Sequence, residues 1–251
     1  MEGKKLTPTT FIGMEGKGII SFGSGQPDLP PPEQAFHCLN NYRNFKYGLI
    51  NGQKKLRKAL AMENPGFTEE NFIITNGASE GLDLVLRSVC KPGDKVLIHK
   101  PYYYSYKPLI EKNYLTPIIV STNNGKIIIE DFKEKVKDVK MVLINSPSNP
   151  SGVIQDISVL KKIEQITKQL NVILVSDEVY KDLIYERDNY SLAGPHIITI
   201  NSFSKTFSMC GLRVGYLFSN DLTIIEKIKE LKTHSSMNTS ILAQEIAYHA
   251  L

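Results

Sequence analysis

Cysteine, charge of one sign and long apolar runs are all scarce in this 251-residue chain. The three cysteines, Cys38, Cys90 and Cys210, are odd in number, widely spaced and in no metal-ligand pattern. That makes a reducing cytoplasm the default and gives no sign of zinc or any other metal. Thirty basic against 26 acidic residues leave a formal charge of +4, too small and too evenly spread to point to nucleic acid. The short basic clusters, Lys54-Lys55, Lys133 to Lys140 with interleaved acids, and Lys161-Lys162, read as solvated helix faces. No apolar stretch approaches the length of a membrane span, and Met1-Glu2-Gly3-Lys4-Lys5 is not followed by an apolar signal core, so a cytosolic protein without membrane contact is expected. On that expectation the glycosylation patterns at Asn189-Tyr190-Ser191 and Asn238-Thr239-Ser240 are chance matches. Internal repeats and low-complexity segments are also missing.

What the chain does carry is 41% hydrophobic residues, enough for a sizeable core in one large domain or two small ones. Residues 1–32 hold Gly13, Gly16, Gly18, Gly23 and Gly25, then Pro27, Pro30, Pro31 and Pro32, which predicts a loop-rich arm. Gly23-x-Gly25 does not continue as a dinucleotide loop, because Asp28 stands where the third glycine belongs and prolines block the helix that must follow. From residue 33 onward, short β-rich runs recur at 72–75, 95–98, 116–120, 141–145, 172–176, 197–201 and 214–218. Helical patterns lie between several of them. Ile157, Leu160, Ile163, Ile166 and Leu170 share one face behind Asp156 as N-cap, and Leu82, Val85, Leu86 and Val89 repeat the spacing over 79–90. This alternation predicts an α/β fold: a mostly parallel seven-stranded sheet with helices on both faces and ligands at the carboxyl ends of the strands.

The residues just after the strands carry the candidate chemistry. Ser202-Phe203-Ser204-Lys205 puts a lysine directly after a buried strand, where a long cationic side chain is unusual. Gly77-Ala78-Ser79 opens a helix after a strand, so its backbone N–H groups suit a phosphate, to which Arg213 adds a planar cation; a plain N-cap is the simpler alternative. Asp177 ends a central strand, where a carboxylate needs a cation or a strong donor. Asn149 and Tyr180 can each bond an oxygen on a ring, and Tyr103 can stack on it or be plain core. An amine, a carboxylate for a ring nitrogen, donors for a phenolic oxygen and a phosphate cup are together the requirements of pyridoxal phosphate. Ser202-x-x-Lys205 also matches the serine-nucleophile signature of penicillin-binding enzymes, but the accompanying Ser-Asp-Asn and Lys-Thr-Gly are missing, and Asp177 is followed by Glu178.

Here the sequence resembles the class I/II aminotransferases, the fold type I family of pyridoxal-phosphate enzymes. The resemblance runs through Gly25-Gln26-Pro27-Asp28, Tyr47-Gly48-x-x-x-Gly52-x-x-x-Leu56-Arg57, Thr75-Asn76-Gly77-Ala78, Lys91-Pro92-Gly93-Asp94 and Pro101-Tyr102-Tyr103. It continues through Asn145-Ser146-Pro147-Ser148-Asn149-Pro150-Ser151-Gly152, Ser176-Asp177-Glu178-Val179-Tyr180 and Ser202-Phe203-Ser204-Lys205 with Arg213-Val214-Gly215. It implies that Lys205 carries the covalently bound cofactor and then moves the proton between the substrate α-carbon and the cofactor C4′. Asp177 would keep the pyridine nitrogen protonated, and Asn149 and Tyr180 would bind the phenolic oxygen. Ala78, Ser79, Ser202, Ser204 and Arg213 would hold the phosphate. It further implies a homodimer in which Tyr47 reaches the partner's phosphate, Gly25 lines the pocket for the substrate carboxylate and Asn149 also contacts the substrate. The substrates would be an L-amino acid and a 2-oxo acid.

Members of that family continue into a small C-terminal domain that supplies an arginine for the substrate α-carboxylate. Residues 242–251 read as the helix leading to it, so the expected organisation is an arm over 1–32 and a cofactor-binding domain over 33–251 that ends within this helix. The same residues also fit a non-catalytic pyridoxal-phosphate-binding or dimerising module, or a lyase of the same fold such as a carbon–sulfur lyase. Residues that would recognise a substrate side chain are scattered, and the sequence does not rank donors.

Overall fold

Seven short apolar runs pair into one sheet in a computed structural model that describes residues 25–185, 190–192 and 194–251. In chain order the elements are α1 (Lys54–Met62), β1 (Phe72–Thr75), α2 (Ala78–Val89), β2 (Lys95–His99), α3 (Tyr106–Lys112), β3 (Thr116–Val120), β4 (Thr122–Asn123) and β5 (Lys126–Ile127). They continue as α4 (Ile129–Lys135), β6 (Met141–Asn145), α5 (Ile157–Gln169), β7 (Ile173–Asp177), β8 (Ile197–Ser202), α6 (Phe203–Thr206), β9 (Gly215–Ser219), α7 (Leu222–Ser235) and α8 (Ile241–Ala250). The sheet order is β1-β9-β8-β7-β6-β2-β3, and β4 and β5 form a separate hairpin. β9 runs antiparallel to both its neighbours, while β8, β7, β6, β2 and β3 pair in parallel.

Alternation along each strand sends side chains to two different cores. Leu143 and Met141 of β6 join Ile98, Val175, Ile198 and Ile200 under α2, α3 and α7, whereas Val142 and Ile144 join Leu97 and Leu174 under α4 and α5. A third cluster, with Phe72, Ile74, Tyr216 and Phe218, packs against α1 and α8. Helices therefore cover both faces, as the alternation of patterns predicts.

Four local expectations shift. The central strand extends one residue further than expected, so Asp177 is its last residue. The N-cap of α2 is Gly77, which places Ser79 inside the first turn. Asp156 does stand at the N-cap of α5 but makes no side-chain cap bond; its carboxylate takes Lys126 Nζ at 2.7 Å. The lysine after β8 sits in a one-turn helix, not an open loop, because Ser202 Oγ caps that turn by accepting from Ser204 N–H. Among the arm residues, Gly13, Gly16, Gly18 and Gly23 lie outside the described residues, as does Asn189. All three cysteines are free thiols, and burial pushes Cys90 up to about 12, far from a reactive thiolate. Among the described residues no helix is long and apolar enough to cross a membrane.

Candidate active site

β1, β6, β7 and β8 each end in a polar residue or lead into a polar turn, and these ends hold the predicted site. At β1 the chain turns through Gly77 into α2. Gly77 has φ +78°, and a Cβ there would lie 2.4 Å from Arg213 Nη2, so a side chain would evict the guanidinium. Arg213 itself adopts a left-handed conformation, φ 56°, ψ 50°, and donates from Nη1 to the Cys210 carbonyl at 2.9 Å. The first turn of α2 is held against β9 by Gly215, where a Cβ would come within 2.7 Å of Ala78 N. The result is an exposed guanidinium facing a helix N-terminus, a cradle for an anion.

At β8, the hydroxyl of Ser202 lies 3.0 Å from the Val214 carbonyl and 2.8 Å from Ser204 Oγ. Lys205 is half-buried; its Nζ donates to the Gly25 carbonyl at 2.8 Å and lies 3.9 Å from Cys210 Sγ. Thr206 Oγ1 donates to Asp182 Oδ2 at 3.1 Å, which ties this turn to the segment after β7.

Asp177 accepts from Tyr106 O–H at 2.5 Å and from Val179 N–H at 3.2 Å. No ion pair reaches it among the described residues. Burial raises its carboxyl above the usual value, and the two donors only partly oppose that. Asn149 Nδ2 donates to Tyr180 O–H at 3.1 Å, so these two predicted partners do meet. Asn149 is seated by its own N–H on Asn145 Oδ1 at 2.7 Å, while Asn145 Nδ2 holds the Asp177 carbonyl at 3.0 Å. Burial raises the Tyr180 phenol; Asn149 opposes this, and Asp177 and Tyr103 add to it.

Tyr103 is half-buried and meets Tyr106 edge-on, with centroids 5.5 Å apart. Tyr47 stands 84% exposed in a surface groove with Phe45, Lys46, Asn238, Ser240, Ile241 and Leu242, a groove that shares no residue with the Lys205 cluster. Sequence reasoning missed Tyr106, the donor to Asp177. It also missed His99, whose imidazole burial lowers to about 4, so that its Nε2 accepts from Asn145 N–H at 3.3 Å. His99 ends β2, where the same search rule could have found it, whereas Tyr106 opens α3, beyond the reach of that rule.

The raised carboxyl makes a prediction for the chain without a ligand. A group whose folded pKa exceeds its unfolded one loses stability as pH rises from the ordinary aspartate range through the raised value. Asp177→Asn is therefore expected to unfold at a higher temperature than the parent at neutral pH, with the gap closing as pH falls through the carboxylate range. Thermal unfolding against pH checks this, and an equal or lower midpoint at neutral pH would count against an uncompensated charge.

Residues 17–251 match the profile of the family described as aminotransferase class I and II. The chain is 32% identical to the aspartate aminotransferase of Sulfurisphaera tokodaii over 94% of its own length and 63% of that protein's. It is 31% identical to the aspartate aminotransferase of Thermotoga maritima, covering 94% of this chain and 67% of that one. Among solved structures, the aromatic aminotransferase from Pyrococcus horikoshii superimposes with a TM-score of 0.84 at 28% identity, over 96% of this chain and 69% of that chain. The chain thus spans about two thirds of the length of the proteins it resembles.

Proposed function

The chain belongs to the class I and II aminotransferases, and from that membership we propose that it binds pyridoxal phosphate and serves transfer of an amino group from an L-amino acid to a 2-oxo acid. The observation that carries this reading is Asp177, a carboxyl at a buried strand end that no cation meets among the described residues. A phosphorylated pyridine supplies a protonated nitrogen for that carboxylate and an anion for the cradle between Gly77 and Arg213. The bound cofactor would act as the electron sink for the bond broken at the substrate α-carbon.

Each residue then has a task. Lys205 Nζ would hold the cofactor covalently and, once displaced by the substrate, would move the proton at the substrate α-carbon. Asp177 keeps a proton on the ring nitrogen, Asn149 Nδ2 and Tyr180 O–H hold the phenolic oxygen, and Tyr103 covers the ring face. Gly77, Ala78, Ser79, Ser204 and Arg213 hold the phosphate. Ser202 Oγ already serves Ser204 N–H and the Val214 carbonyl, so its main contribution is to seat Ser204. Gly25, beside Lys205 Nζ, lines the pocket for the substrate carboxylate.

A homodimer completes the reading. Phe45 and Tyr47, 77% and 84% exposed on one surface groove, offer apolar side chains for a second copy to cover. Tyr47 would reach the phosphate of the second copy. The free thiols suit a reducing compartment, the basis for placing the protein in the cytoplasm.

Reconstitution tests this. Chain mixed with pyridoxal phosphate is expected to gain a visible absorption band, a covalent mass increment after borohydride reduction, and the sedimentation of a dimer. Added amino acid should bleach that band and release a 2-oxo acid, whereas ammonia release would favour a lyase and an unchanging band a binding module. If no band and no increment appear, the cofactor assignment is lost.

A further inference from the structure

Tyr106 is 2% exposed, and its ring belongs to the core cluster that contains Ile110, Leu115 and Val175. A phenylalanine would fill that place, so the hydroxyl is the part that packing does not explain. A buried hydroxyl left without a partner is destabilising, so this one needs an acceptor. Its partner here is Asp177 Oδ2 at 2.5 Å, a separation typical of an O–H donor on a carboxylate. The same ring stands edge-on to Tyr103 at an interplanar angle of 82°, and Tyr106 N–H bonds the Tyr103 carbonyl at 2.9 Å. One buried side chain thus touches both the carboxyl and the aromatic that bracket the ring site.

Resting on the pyridoxal-phosphate reading above, we propose that Tyr106 is a positioning residue that keeps the negative charge on Asp177 and the proton on the nitrogen of the bound ring. A carboxylate opposite a pyridinium can keep its charge or take the ring's proton, leaving two neutral groups. Burial favours the neutral pair, because both charges are costly in a poorly hydrated site. A phenol donating to the carboxylate stabilises its charged form and makes it a weaker base, so the proton stays on nitrogen. Val179 N–H, at 3.2 Å, is the longer and weaker of the two donors. The edge contact keeps Tyr103 in place at the same time.

The test uses the full chain loaded with pyridoxal phosphate labelled with nitrogen-15 in the ring. The nitrogen shift reports protonation directly and is blind to a general loss of packing. The parent is expected to show a protonated nitrogen at neutral pH. Tyr106→Phe, which keeps the ring, is expected to move the shift toward the unprotonated value and to slow removal of the substrate α-proton about 10- to 100-fold, the scale of one hydrogen bond to a charged group. Replacing Tyr106 by 3-fluorotyrosine keeps both ring and hydroxyl and strengthens the donor, so protonation should persist to higher pH. A parent chain that takes up no cofactor overturns the underlying cofactor reading and this role with it. Loaded parent and Tyr106→Phe proteins with identical nitrogen shifts overturn the role of Tyr106 alone.

Discussion

Lys205→Ala is expected to abolish covalent capture of pyridoxal phosphate and to slow amino-group transfer by about 10²–10⁴-fold, the range for a lost general acid–base. The fold should not notice. Lys205 sits in the one-turn α6, capped by Ser202, and alanine is the strongest helix former available for that position. The amine's contacts are a backbone carbonyl at Gly25 and the sulfur of Cys210 at 3.9 Å, neither of which is an ion pair. The cradle of Gly77 and Arg213 is untouched, so the variant should still bind the cofactor reversibly. Borohydride reduction followed by mass measurement separates the two modes: parent chain retains the increment, Lys205→Ala does not. Retention of the increment by the alanine variant would show that another amine is the attachment point.

Glu80→Ala should cost about 3–5 kcal/mol of stability, the usual penalty for breaking one side of a buried ion pair. Lys232 on α7 has no exposed surface, and its Nζ donates to Glu80 Oε2 and Ser236 Oγ, both at 2.9 Å. Glu80 also accepts from Asn76 N–H at 2.6 Å and Asn76 Nδ2 at 3.1 Å, in the residue just before the cradle glycine. Alanine at 80 strands a buried ammonium and frees that turn. Lys232→Met removes the charge that needs burial and leaves Glu80 its Asn76 donors at a helix N-terminus, so its cost should be roughly 1 kcal/mol or less. Burial pushes the Glu80 carboxyl up, but Ser236, Asn76 and Lys232 together hold it below its usual value. Its contribution is therefore present above the ordinary glutamate range and lost as pH falls through the lowered value. Urea unfolding of the two variants checks the asymmetry, and equal losses would mean that the pair acts only as packing.

The sheet was legible because its strands are short, β-branched and punctuated by Gly, Pro and Asn; all seven fall within a residue of their expected places. Lys205, Asp177, Asn149 and Tyr180 could be singled out as candidates because the ends of parallel strands are where a chain of this pattern exposes polar groups, and Arg213 because it stands just before the strand that pairs with β8. Contacts between segments far apart were not. Glu80 and Lys232 are 152 residues apart; Lys232 falls on the same face of α7 as Ile225 and Ile228, but nothing local shows which carboxylate meets it. Tyr106 lies in a run of tyrosines, Tyr102-Tyr103-Tyr104-Ser105-Tyr106, where only packing reveals which hydroxyl points at a carboxylate. Asp156 shows the reverse case: a residue with the right cap chemistry whose charge is claimed by a lysine from a neighbouring hairpin.

The reversed strand β9 has one more effect. Because it runs against β8, Ser202 and Gly215 face each other as a paired rung, and Lys205 and Arg213 both lie in the short excursion between them. The two points that would grip opposite ends of one ligand are thus mounted on a single clamped loop. Such a loop works as a caliper: the span between amine and guanidinium is gauged by a dozen residues of backbone. Losing the contact between Lys205 Nζ and the Gly25 carbonyl would leave that gauge unchanged.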